Sequence, residues 1–290
     1  MQHAIRAGFV GLGAMGWSMA AHLHQRGLLA AVANRSPDKA QRFAAAHEGT
    51  IAATADTIAQ CCNVVVLCVS ADSDVIDVSR TVAAAAAPGT IVVDHSTVSS
   101  TTASAAAALL RAAGGDFVDA PVSGGVEGAK NGKLSIMAGG EAATLARVRP
   151  VLDAYAARVT HMGPVGAGQN TKAVNQVLIA GIAQAVTEGL ALGEALGLAP
   201  DALLPTLAAG AAGNWFLDKR GATMLANQFS VGFKLGLLHK DLRIVRDLAL
   251  AAGTDRSVIE KSLADYAELM ARGHADDDIS ALIRLKRPQV

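Results

Sequence analysis

Three glycines, Gly11, Gly13 and Gly16, stand as G-x-G-x-x-G within "FVGLGAMG", directly after the apolar run AGFV and directly before GWSMAAHLHQRG, which has helix length. No other feature constrains the fold as much. In such a strand–turn–helix context the first glycine makes the turn and the second lets backbone approach a phosphate. The third lets helix and strand pack closely, and the helix N-terminus faces the anion. The pattern predicts a dinucleotide site at Gly11, Leu12, Gly13, Ala14, Met15 and Gly16, with a purely structural glycine turn as the alternative.

The rest of the first half repeats the alternation. AAVAN, VVVLCV, TIVVDHS and DFVDAPV are continuous apolar runs separated by alanine-rich stretches long enough for helices. Strands apolar on both faces belong to a sheet covered on both sides, so the reading is an α/β Rossmann-type domain with a doubly wound parallel sheet over residues 1–164. "GPVGAGQ" is the densest Gly/Pro stretch and reads as a hinge. Beyond it no strong strand is visible. Helices are expected over about 169–197, 200–211, 215–226, 233–252 and 256–272, giving an all-α C-terminal domain over 165–290, joined by a long interdomain helix.

Composition narrows the partners. Lys+Arg and Asp+Glu balance at 25 each and aromatics make up 3%, which disfavours nucleic acid and anionic membranes and leaves small molecules. Cys61, Cys62 and Cys68 lack metal spacing and read as reduced core thiols of a cytoplasmic protein. The N-terminus goes straight into the glycine motif and reads as mature sequence. The apolar stretch 173–197 is interrupted by Asn175, Gln176, Gln184, Glu188 and Glu194, so no membrane span is expected. His22 and His24 are two apart on a helix and no H-E-x-x-H occurs, so no metal site is expected.

The end of the second strand decides the ribose. A carboxylate there would accept from a 2′-hydroxyl, but Asn34, Arg35 and Ser36 occupy the position. A guanidinium holds a 2′-phosphate in a fork, so NADP(H) is the preferred cofactor, with NAD(H) possible if Arg35 is only a solvated loop charge.

With the glycine loop in view, "DAPVSGGVEGAKNGKLSIMAGG", "GPVGAGQNTKAVNQ" and "HKDL" complete, in order, a pattern that resembles the β-hydroxyacid dehydrogenases, the group of 3-hydroxyisobutyrate dehydrogenase, tartronate semialdehyde reductase and glyoxylate/succinic semialdehyde reductase. The resemblance implies that Ser123, Gly124 and Gly125 grip a substrate carboxylate; glycine backbone N–H groups and a hydroxyl suit a small anion. "DHSTVSS" is similar to an element that closes over the cofactor through Ser96 and Thr97, with Ser100 where the family has proline. Ser96 and Thr97 are equally candidates to cap the next helix. Val69 either borders the cofactor or packs in the core. Lys240 resembles a family lysine that approaches the cofactor, with a solvated pair to Asp241 as the alternative. Trp215 and Phe216 read as core before pocket.

Lys172 opens an apolar helix, where a buried ammonium needs a partner or a task. The resemblance supplies one: proton donor to a carbonyl oxygen as hydride reaches its carbon, or proton acceptor in reverse, the latter needing a pKa lowered from about 10.4 to about 8. Asn175, one turn on, shares its face and orients the lysine or the substrate oxygen; Gln176 is the weaker counterpart. The expectation is an NADP(H)-preferring enzyme for a small β-hydroxyacid or semialdehyde acid, assembled as a homodimer or homotetramer. An imine reductase-like enzyme and a catalytically inactive cofactor-binding sensor or scaffold are the rivals.

Overall fold

The computed structural model describes residues 4–288. The chain forms two compact units, one running to Lys172 and the other starting at Ala173. In the first, β1 (Ala7–Val10) turns through the glycines into α1 (Gly16–Gln25). Then follow β2 (Leu29–Ala33), α2 (Pro37–Ala46), β3 (Ile51–Ala52), α3 (Ala55–Cys61), β4 (Val64–Leu67), α4 (Asp72–Ala85), β5 (Ile91–Asp94), α5 (Ser100–Ala112) and β6 (Asp116–Asp119). The unit continues with β7 (Val122–Ser123), α6 (Gly125–Lys130), β8 (Leu134–Gly139), α7 (Ala142–Leu152) and β9 (Ala156–Gly163).

The strand order is β3-β2-β1-β4-β5-β6-β8-β7, with β9 beside β8. Every residue of β1, β4 and β5 is buried, as continuous apolar runs require, and the pleat divides them between two cores. Phe9, Val66 and Val93 face one layer with Met19 and Leu23; Val10, Val65, Leu67 and Val92 face the other with Val75 and Leu110. From β3 to β6 all pairs are parallel. The doubly wound parallel sheet expected here holds over those strands; beyond them β8 departs from it, running antiparallel to β6 and β7. The link carrying α6 is too short for a parallel crossover, which takes a dozen or more residues. The strand order reverses between β2 and β4, on either side of β1, and this places the glycine turn at the switch point where such sheets bind ligands.

The second unit is helical. α8 (Ala167–Ala195) starts in the first unit and ends in the second, followed by α9 (Pro200–Ala209), α10 (Trp215–Leu225), α11 (Leu235–Ala252) and α12 (Ser257–Ala271). A 3₁₀ segment, Ile279–Leu285, adds Ala281, Leu282 and Ile283 to a core with Phe216, Leu238, Leu242 and Tyr266. Phe216 is core, whereas Trp215 is exposed and lies under the Arg220 guanidinium.

Candidate active site

The glycine loop divides its labour in a way that space makes visible. Gly11 has φ +103°, and a side chain there would bring Cβ to 2.3 Å from the Cys68 carbonyl oxygen. At Gly16 a Cβ would lie 2.0 Å from the Gly11 oxygen. Nothing lies within 4 Å of the corresponding point at Gly13, so the protein's own packing does not require glycine there. That open space adjoins the start of α1, which no side chain caps. Room for a close-approaching group beside an uncapped helix N-terminus fits a dinucleotide pyrophosphate. Ala14 is exposed and Met15 half-buried. Leu12 puts its side chain in the core, so only its backbone serves the loop, and its N–H donates to Asn34 Oδ1 at 2.9 Å. Asn34 in turn donates to the Ser36 carbonyl at 3.1 Å. Asn34 thereby fixes the end of β2 to the glycine turn, while the Arg35 side chain is 88% exposed, 3.8 Å from Asp74.

The ends of β4 and β5 join this edge. Val69 N–H donates to Ser96 Oγ at 3.0 Å, and Ser96 N–H to Asp94 Oδ1 at 2.9 Å. Thr97 is half-buried. Neither Ser96 nor Thr97 caps α5: the cap is Ser99, whose Oγ accepts from Thr102 N at 3.1 Å. The helix starts two residues later than that alternative required. Ser100 is its first residue, a position suited to proline. In its place Asp72 secures the turn, accepting from Ser99 N at 3.0 Å and Thr102 Oγ1 at 2.6 Å.

The start of α8 is fixed by Asp119 at the end of β6. Its Oδ1 accepts from Gly166 N at 2.8 Å and its Oδ2 from Gln169 N at 2.9 Å, so a carboxylate from another strand caps this helix. Burial raises the Asp119 pKa above the ordinary carboxylate value despite the backbone hydrogen bonds that lower it. The approach is tight: a Cβ at Gly168 would lie 2.4 Å from the Met137 oxygen. One turn along α8, Lys172 is 8% exposed. Its Nζ donates to the Val122 carbonyl at 2.8 Å, next to Ser123 at the end of β7. Gly124 at φ +127° turns the chain into α6, whose first residue is Gly125. Lys172 and the Ser123–Gly125 turn, expected to act together, are therefore held side by side in one unit.

In the helical unit Asn175 Nδ2 donates to Gln176 Oε1 at 2.8 Å, Gln176 Nε2 donates to Asp241 Oδ2 at 2.7 Å, and Lys240 Nζ lies 2.9 Å from Asp241 Oδ1. One chain of contacts thus orients both Asn175 and Lys240, with Gln176 at its centre. Sequence reasoning ranked Gln176 low and missed Gln169 and His95, which stand among polar and glycine neighbours in GAGQNTK and VDHST and carried no signal of their own. The thiols are not candidates, since burial pushes Cys62 and Cys68 up to about 12.

Residues 6–163 match the profile of the NAD binding domain of 6-phosphogluconate dehydrogenase, and residues 166–286 that of the NAD-binding domain of NADP-dependent 3-hydroxyisobutyrate dehydrogenase. An uncharacterized oxidoreductase of Shewanella frigidimarina is 37% identical, over 97% of this chain and 98% of its own. The 2-hydroxy-3-oxopropionate reductase of Escherichia coli is 35% identical over 59% of each chain. The structure of Mycobacterium tuberculosis 3-hydroxyisobutyrate dehydrogenase with L-serine superposes with a TM-score of 0.88 at 34% identity, covering 98% of this chain and 99% of that one.

Proposed function

The chain belongs to the β-hydroxyacid dehydrogenase family of NAD(P)-dependent oxidoreductases acting on CH–OH groups, and within it we propose an NADP(H)-preferring enzyme for a small β-hydroxyacid or its semialdehyde acid, with Lys172 as general acid/base. The observation that carries this reading is the buried Lys172 ammonium, anchored on the Val122 carbonyl beside Ser123. When bound, a nicotinamide would supply or accept the hydride. Ser123 Oγ and the backbone at Gly124 and Gly125 grip the substrate carboxylate, which orients the neighbouring carbon. Lys172 then donates a proton to the carbonyl oxygen in reduction, or withdraws the hydroxyl proton in oxidation. Asn175, one turn along α8 from Lys172, is held by Gln176, which is itself bonded to Asp241.

The cofactor preference rests on what surrounds the end of β2. No carboxylate takes the ribose position, Asn34 is committed to the glycine turn, and Arg35 is exposed with a loose Asp74 pair of little strength. A 2′-phosphate outcompetes such a pair. Gly11, Leu12, Gly13, Ala14, Met15 and Gly16 hold the pyrophosphate, and Val69, Ser96 and Thr97 border the rest. The free cysteines suit a reducing cytoplasm, and the active form is a homodimer or homotetramer.

The test is NADPH oxidation with glyoxylate, succinic semialdehyde, methylmalonate semialdehyde and tartronate semialdehyde. We expect turnover of at least one, a loss of about 100-fold or more in kcat for Lys172→Ala, and NADPH affinity largely retained. A wild type inert toward all four, or a mutant as fast as wild type, refutes the assignment. Comparing kcat/KM for NADPH and NADH in wild type and Arg35→Ala tests the preference, and equal values in wild type count against it.

A further inference from the structure

The first turn of α8 carries a buried amide that the chemistry above does not use. Gln169 is 3% exposed. Its Oε1 accepts from Val98 N at 3.2 Å and its Nε2 donates to the Ser96 carbonyl at 2.8 Å. Both ends of one side chain are therefore bonded to the backbone on either side of Thr97. The same residue's own N–H is bonded to Asp119 Oδ2, and Ser96 Oγ is bonded to Val69 N. Three residues along the helix from Gln169 stands Lys172.

Filling this space requires only an apolar side chain of similar length. An amide buried without partners is unfavourable, and one with both partners fixes distance and rotation together. The two bonds set the Ser96–Val98 loop against the turn of α8 that bears Lys172. We infer that Gln169 is a positioning residue: it holds the cofactor-side loop in register with the acid/base, without touching either reactant. This inference rests on the proposed roles of Ser96, Thr97 and Lys172. Displacements near 1 Å between reacting groups are costly to rate, so a fixed strut between the two sides has a kinetic consequence.

Two variants separate positioning from plain structural support. Gln169→Met keeps the length and removes both bonds. Gln169→Glu accepts from Val98 when ionised and has no proton for the Ser96 carbonyl; protonated, it regains both bonds. In cofactor-free Gln169→Met, amide hydrogen exchange at Val98 should quicken about tenfold. Its kcat, measured with whichever semialdehyde the wild type reduces, should fall about tenfold with KM changed far less. The Gln169→Glu to wild-type ratio of kcat/KM should climb as pH is lowered, while the Gln169→Met ratio stays flat. Wild-type exchange at Val98 in Gln169→Met overturns the inference, as does an equally flat ratio for both variants or a lowered Tm with kcat per folded molecule unchanged. Should the wild type reduce none of the four aldehydes, the functional reading fails, and Val98 exchange with NADPH affinity in Gln169→Met still decides the strut.

Discussion

Gly13 and Gly16 are two residues of one motif whose substitution by alanine should act through different physics. A methyl group at Gly16 meets the Gly11 carbonyl at 2.0 Å, so backbone must shift. Overpacking of this kind costs about 1–3 kcal/mol. A methyl at Gly13 enters open space and should leave stability within about 0.5 kcal/mol of wild type. It occupies the room where a pyrophosphate would sit, so NADPH affinity should drop about tenfold or more. Thermal melts and NADPH fluorescence titrations of Gly13→Ala and Gly16→Ala check both halves. A Gly13→Ala protein that binds like wild type would remove the loop's assigned role. The strand–turn–helix context made all three glycines legible in the sequence. So was the division of tasks among them, with Gly13 left for the ligand; the carbonyls of Cys68 and Gly11 that enforce glycine at the other two positions were not, because only folding brings them near. Arg35 was legible as a cation at the end of the second strand, but its partner Asp74, on α4, was not.

At the scale of elements, His95 joins three pieces of the first unit. Its Nδ1 lies 2.6 Å from the Ala120 carbonyl, following β6, and its Nε2 2.7 Å from the Tyr155 hydroxyl, preceding β9. A carbonyl only accepts, so Nδ1 donates; burial favours the neutral ring, in which Nε2 then accepts from the tyrosine hydroxyl. Burial lowers its pKa to about 4, against a backbone hydrogen bond that raises it. The unfolded chain protonates near the ordinary value of about 6.5, so between there and about 4 it takes up a proton that the folded state refuses. Stability is complete above about 6.5, falls as the pH drops through this window and levels below it, by about 3 kcal/mol in total. Urea unfolding at pH 7.5 and pH 4.5 should show that slope in wild type and a shallower one in His95→Gln; equal slopes would mean that His95 is not its source. The histidines common to both proteins, including His239 with its lowered pKa, cancel in the difference. Apolar runs made β1, β2, β4, β5 and β6 readable, and alanine-rich stretches of helix length between them did the same for the helices. The direction of β8 and the cap at Ser99 were hidden, because strand direction follows from the length of the α6 link and capping from backbone torsion, not from residue type.

At the scale of the whole molecule, α8 poses the remaining problem. It is long and apolar enough to cross a membrane by length and composition, with 39% of its most apolar window buried. Buried Lys172 and Gln176 each have polar partners within the protein, which is the pattern of a core helix. Yet Val174, Leu178, Leu192 and Leu196 are 60–65% exposed. Eighteen residues make five full turns at 3.6 per turn, so Leu192 lies directly along the helix from Val174; Leu196, just past the end of α8, continues its last turn by donating from N to the Leu192 carbonyl at 3.0 Å. Ala185 and Gly189, both exposed, fall on the same stripe and are small enough to let another backbone come close. A continuous apolar stripe of this length is unfavourable in water, and the proposed homodimer or homotetramer gives it cover. Sedimentation velocity at micromolar concentration should find wild type at two or four chains. Leu192→Glu combined with Leu196→Glu places two charges on that stripe and should shift the protein toward the monomer. A monomeric wild type, or a double variant that sediments like it, would mean that this face of α8 is not where the chains meet.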